Sequence, residues 1–168
     1  MTPLAKIITV SDSVHAGQRE DGASGLLVER LSEVGFRVVE RRVVPDGVES
    51  VAAALSDCAY DFAGLIVTTG GTGFSPRDLT PEATLAVIQR EAPGLAEAMR
   101  AVNPLGRLSR GRSGLLGRSL ILNVPGSPRG ALENLDAVID VLAHALALLS
   151  GENDDHPPDT GGSTATSS

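Results

Sequence analysis

The stretch FAGLIVTTGGTGFSPRDLTPEATLAVIQRE, residues 62–91, decides the fold. Its first eight residues, through Thr69, are almost continuously apolar, the pattern of a strand buried on both faces of a parallel sheet. Glycines at 70, 71 and 73 then break the run. Thr80 is a natural N-cap and Pro81 a natural first helical residue, so a helix is predicted from Pro81 to Glu91. A buried strand, a glycine-rich turn and a helix make up half of a βαβ unit, and such a strand needs helices on both sides.

The same alternation extends outward. Upstream, KIITV (6–10) reads as a strand, and residues 26–35 as a helix with Leu27, Leu31 and Val34 on one face and Gly35 as its stop. FRVVERRVV (36–44) reads as a second strand, halted by Pro45-Asp46-Gly47. Residues 48–59 place Val51, Leu55 and Cys58 on one side of a helix. Downstream, residues 94–102 are helical, 103–117 read as irregular, and SLILNV (119–124) is a fourth strand. Residues 129–150 form one long helix with Leu132, Leu135, Leu142 and Leu146 in its stripe, ended by Gly151. The prediction is one α/β domain over residues 1–151, a three-layer sandwich whose mostly parallel sheet carries helices on both faces. Residues 152–168 contain no apolar run and read as a disordered tail.

Composition narrows the function. The chain of 168 residues is 42% hydrophobic but only 2% aromatic, with no Trp, so its core is aliphatic. A net charge of −7 and the scarcity of stacking side chains argue against nucleic acid and anionic membranes as partners. The single cysteine, Cys58, cannot form an internal disulfide and reads as core, and no Cys/His spacing suits a metal. The histidines at 15, 144 and 156 are scattered and none reads as catalytic. With no signal peptide or membrane span visible, a soluble cytoplasmic protein is expected.

In a sheet of this kind, ligands bind beyond the carboxyl ends of the strands. Four such ends carry polar or glycine-rich turns: Ser11-Asp12-Ser13, Pro45-Asp46-Gly47, Thr68-Thr69-Gly70-Gly71-Thr72-Gly73 and Pro125-Gly126-Ser127. Glycines let backbone N–H groups approach a phosphate, and threonine hydroxyls add donors. The turn fits neither the Walker pattern nor the dinucleotide fingerprint. Taken singly, each feature is also ordinary punctuation: a turn, or an Asp78 that favours a helix N-terminus. Taken together, two carboxylates beside a glycine cradle suit Mg²⁺ next to a phosphate chain. Arg107, Arg110, Arg112 and Arg118 read either as a solvated loop or as a mobile clamp over an anionic substrate.

TVSDSVHAGQREDGASG (9–25), VPDG (44–47), TTGGTGFSPRDLTPEAT (68–84) and NVPGSP (123–128), in this order and spacing, resemble the molybdopterin adenylyltransferase (MogA/MoaB) family, related to the G domains of gephyrin and its plant counterpart. The resemblance covers roughly residues 4 to 150. It implies an α/β sandwich, a homotrimer, and transfer of AMP from MgATP to the terminal phosphate of molybdopterin with release of pyrophosphate. It maps the family's two functional aspartates onto Asp46 and Asp78, which would be catalytic and would hold Mg²⁺. Ser11, Asp12, Ser13, Thr69, Gly70, Gly71, Thr72, Gly73, Arg77, Pro125, Gly126 and Ser127 would contact nucleotide and substrate. A different class, a paralogue that binds molybdopterin without transferring AMP, shares the same residues. A scaffolding role would call for a second domain.

Overall fold

The computed structural model describes residues 1–151. Its strands are β1 (Leu4–Val10), β2 (Arg37–Val44), β3 (Gly64–Thr69), β4 (Arg90–Glu91), β5 (Ser113–Leu116) and β6 (Ser119–Val124). Its helices are α1 (Asp12–His15), α2 (Ser24–Glu33), α3 (Val48–Ala59), α4 (Thr80–Val87), α5 (Pro93–Ala101), α6 (Pro128–Asp136) and α7 (Ile139–Ser150). One sheet holds all six strands in the order β2-β1-β3-β6-β5-β4. The first four in that order run parallel, and the β5 and β4 pairings are antiparallel.

The alternation of side chains along the central strands builds two cores. Ile7, Leu65, Val67, Leu120 and Leu122 face one side, where they meet α2, α5, α6 and α7 through Leu27, Met99, Leu135 and Leu142. Ile8, Ile66 and Ile121 face the other, against Val51, Leu55 and Cys58 of α3 and Ala83 of α4. Every residue of β3 and β6 is buried, as a strand covered on both faces requires. Two residues of β6 are polar: Ser119, whose hydroxyl donates to Phe62 O, and Asn123. The Asn123 Nδ2 donates to Thr68 Oγ1 and Thr84 Oγ1 at 2.9 and 3.0 Å, and its Oδ1 accepts the Arg112 N–H at 3.0 Å. This satisfied buried network ties β3, β6 and α4 together directly beneath the turn after β3.

Three sequence expectations need correction. The helix begun at Thr80 ends at Val87, and Arg90–Glu91 forms the outermost edge strand instead. Within the segment read as irregular, residues 113–116 form β5, which reaches β6 through a tight turn with Gly117 at φ +57°. The long C-terminal helix is two helices. Val138 leaves helical geometry (φ −129°, ψ −6°) and is buried in the first core, so the axis breaks between Asp136 and Ile139. The tail expected over 152–168 lies outside the described residues. No helix among the described residues is long and apolar enough to cross a membrane.

Candidate functional site

Register brings the four turns together. Val10 lies opposite Val44, Thr9 opposite Thr69, and Thr69 opposite Val124. The parallel strands therefore end within one residue of a common line, and each chain continues into its turn on the same edge. β2 and β3 lie on opposite sides of β1, so the sheet's direction of build switches there, the usual place for a ligand crevice.

A cleft of about 620 Å³ opens on that edge. Among the residues expected at a site, Ser11, Asp46, Thr69, Gly70, Gly71, Thr72, Gly73, Asp78, Gly126 and Ser127 line it. The two aspartates flank one turn. A Cβ placed on Gly71 would come within 3.1 Å of Asp46 Oδ1, and one on Gly73 within 2.9 Å of Asp78 Oδ2.

Asp12, Ser13, Arg77 and Pro125 stand behind or beside this lining. Asp12 and Asp46 brace each other: the Asp12 N–H donates to Asp46 Oδ2 at 2.9 Å, and the Asp46 N–H donates to Asp12 Oδ1 at 3.1 Å. Arg77 holds the Asp12 carboxylate with Nε and Nη2, both at 3.0 Å, and donates to Asp46 O at 2.8 Å. The Ser13 hydroxyl lies 3.2 Å from that of Ser11. The Pro125 carbonyl accepts the Thr69 hydroxyl at 2.7 Å, and Pro125 lines a second cleft of about 450 Å³. This second cleft shares Thr72, Gly73 and Ser127 with the first and is flanked by Leu105, Leu108 and Glu133.

The electrostatics separate the paired carboxylates. The Arg77 fork holds Asp12 below the usual carboxylate range. Burial first, and then the charges of Asp12 and Asp78, push Asp46 above it. An acid held above its ordinary pKa in a cleft is a group that gains from a cation.

The donor set fits magnesium. Asp46 Oδ2 accepts the Asp12 N–H, and Asp78 Oδ2 accepts the Ser75 N–H at 3.0 Å. The other oxygen of each carboxylate has no protein hydrogen bond among the described residues. Those residues include no cluster of three or more His, Cys, Asp or Glu side chains able to cage an ion. Two hard oxygen donors without a cage suit Mg²⁺, which keeps several waters and takes substrate phosphates.

Some details differ from the sequence reading. Thr80 does not cap α4 with its side chain; its hydroxyl donates to Gly70 O at 2.9 Å and its N–H to Gly71 O at 3.1 Å, pinning the glycine turn. Ser127 does cap α6, accepting the Gly130 N–H at 3.2 Å, and so directs that helix N-terminus at the cleft. The arginines are not a free clamp. Arg107 is tied to Pro104 O, Arg112 to Glu91, Arg118 to Asp61, and Arg110 to the glycine loop itself. Sequence reasoning missed Thr9, Arg19 and Asp21, which also line the cleft. Burial would raise the Asp21 pKa, but donors from Thr9 and Ser24 outweigh it and hold the carboxyl below its usual range. α1 folds residues 17–22 back over the end of β1, and no periodicity announces that fold-back.

Known proteins resemble this chain in sequence and fold. Residues 6–144 match the family described as a probable molybdopterin binding domain. The chain is 41% identical over 156 residues to the molybdopterin adenylyltransferase of Haemophilus influenzae, covering 87% of this chain and 79% of that one. It is 36% identical over 152 residues to the molybdopterin adenylyltransferase of Escherichia coli, covering 83% and 77%. The crystal structure of the molybdopterin biosynthesis enzyme MoaB from Thermus thermophilus superposes with a TM-score of 0.84 at 46% identity, covering 88% of this chain and 96% of that one. With its strand ends, glycine turn and paired aspartates set out as above, the chain belongs to the molybdopterin-binding domain family of molybdenum cofactor biosynthesis.

Proposed function

We propose that this protein is a molybdopterin adenylyltransferase. An oxygen of the terminal phosphate of molybdopterin attacks the α-phosphorus of ATP, the bond to the β-phosphate breaks, and pyrophosphate leaves. The nucleophile belongs to the substrate, so the protein needs no Ser, Cys or His of its own. Its task is to hold two anions in line and offset the charge that develops on the leaving group.

The observation that carries this reading is the common edge on which register gathers Asp46, Asp78 and the Thr69–Gly73 turn. Two adjoining clefts that meet at Thr72, Gly73 and Ser127 suit two substrates whose phosphates must meet. Backbone N–H groups of the turn and the N-terminus of α6 supply donors for phosphate oxygens. Asp46 and Asp78 would hold Mg²⁺, which when bound supplies positive charge beside the phosphates. Ser11, Gly126 and Ser127 line the cleft where they can position either anion, Ser13 backs Ser11, and Asp12 with Arg77 keeps Asp46 in place.

The test is to incubate the full chain with ATP, Mg²⁺ and molybdopterin. Pyrophosphate and adenylyl-molybdopterin are expected only when all three are present. Tight molybdopterin binding without pyrophosphate would identify a carrier instead.

The reading extends to a cytoplasmic homotrimer. α7 supports an assembly of copies: of this largely apolar helix only Leu142 is fully buried, while Val141 and Leu148 stand in solvent. Light scattering of the purified chain is expected to return three times the mass of one chain. A monomer at micromolar concentration would reject the assembly.

A further inference from the structure

Asp78 rides on a loop that is open to solvent, with Phe74, Ser75, Pro76 and Arg77 all exposed. Within the loop, two hydrogen bonds provide closure: the Asp78 N–H to Ser75 O at 2.9 Å, and the Ser75 N–H to Asp78 Oδ2 at 3.0 Å. The Arg77 side chain also ties the loop outward, to Asp12 and to Asp46 O. These bonds leave the Gly73 and Asp78 carbonyls, at the two ends of the loop's main chain, to be held from elsewhere.

One residue from outside the loop holds both carbonyls. The Arg110 backbone N–H donates to Thr72 O at 2.8 Å, and its Nε donates to Gly73 O at 2.9 Å. Its Nη2 donates to Asp78 O, and its Nη1 pairs with Glu82 in the first turn of α4. A single planar guanidinium thus bridges both ends of the 73–78 loop and anchors them to the helix behind. The rigid fork matters here, because a lysine ammonium offers a point charge that cannot span the two carbonyls in fixed geometry.

We propose that Arg110 is a positioning residue for adenylyl transfer, setting Asp78 through the main chain at Gly73 and Asp78 without itself touching substrate. The proposal rests on the adenylyltransferase reading for its kinetic consequence, but not for its structural one. Removing Arg110 alone would also strand Glu82, whose Oε2 is buried with no hydrogen-bond partner among the described residues. The variants are therefore Arg110→Lys, which keeps the charge, and Arg110→Gln combined with Glu82→Gln, which removes both charges.

Both variants are expected to melt within a few degrees of the native chain. Their kcat should fall about a hundredfold while KM for molybdopterin moves less than about threefold. In the chain without substrates, hydrogen exchange at the Asp78 amide should accelerate at least about tenfold. Native kcat in either variant, or unchanged exchange at that amide, overturns the proposal. If the native protein releases no pyrophosphate, the adenylyltransferase reading fails, and the exchange measurement still decides whether Arg110 straps the loop.

Discussion

Asp46→Asn and Asp78→Asn are each expected to lower kcat for pyrophosphate release about a hundredfold or more, at saturating substrates and Mg²⁺. Asparagine keeps the size of the side chain and one carbonyl oxygen, so the backbone bonds to Asp46 from Asp12 and to Asp78 from Ser75 can persist. Only the negative charge is lost. A fall of that size corresponds to about 2.7 kcal/mol of transition-state stabilisation. The apparent affinity for Mg²⁺ should weaken with it, at least about tenfold. A variant with native kcat would remove that aspartate from the proposed machinery.

The Asp46 variant carries a second, opposite expectation. Burial and the neighbouring Asp12 and Asp78 charges hold the Asp46 carboxyl above its usual range in the folded chain. The folded state therefore binds the Asp46 proton more tightly than the unfolded state does. At neutral pH, ionised Asp46 opposes folding, and this opposition fades as pH falls through its raised folded value. The asparagine amide is neutral at every pH, so without metal the variant should melt at or above the native temperature near pH 7. A loss of activity joined to a gain in stability marks a residue retained for its charge. Protons and Mg²⁺ compete for the ionised Asp46 carboxylate, so the apparent affinity for Mg²⁺ should weaken as pH falls toward the raised Asp46 range. A markedly lower melting temperature for Asp46→Asn would instead make Asp46 a structural turn residue.

The parts of this fold legible from sequence are those where local pattern and tertiary role agree. β3 is apolar throughout because both its faces are covered, and the strand, glycine turn and helix succession admits few topologies. The meeting of Asp46 with Asp78 follows from that topology, although the two stand far apart in the chain. β5 was hidden because glycines at 111, 114 and 117 give residues 111–117 the composition of a loop, while its strand pairing is decided by β6 alongside. Asp21 escaped notice because its partners, Thr9 and Ser24, come together only through the fold-back after α1. The role of Arg110 was hidden for a different reason. Three of its four acceptors are backbone carbonyls, and carbonyls leave no mark on a sequence. Side-chain chemistry was therefore readable, whereas the main-chain restraints that orient it needed coordinates.

Gly70→Ala is expected to destabilise the protein by about 3 kcal/mol or more, lowering its melting temperature by about 6–12 °C. Gly70 has φ +105°, a conformation that residues with a Cβ rarely adopt, and a Cβ there would overlap the carbonyl oxygen of Val10. That oxygen belongs to backbone at the end of β1 and cannot swing aside. Retreat on the other flank is blocked too, since the Gly70 N–H donates to Val124 O at 3.1 Å and Gly70 O accepts the Thr80 hydroxyl. The substitution must pry apart β1, β3, β6 and the start of α4 at the one line where the cleft forms. Activity should fall with stability, because the same displacement moves the turn between Asp46 and Asp78. Gly25→Ala is the control: it sits inside α2 with nothing within 4 Å of an added methyl, and should stabilise by about 0.4–1 kcal/mol. If Gly70→Ala melted alongside that control, the turn would be free to shift. A cradle built on its fixed N–H groups would then have no physical basis.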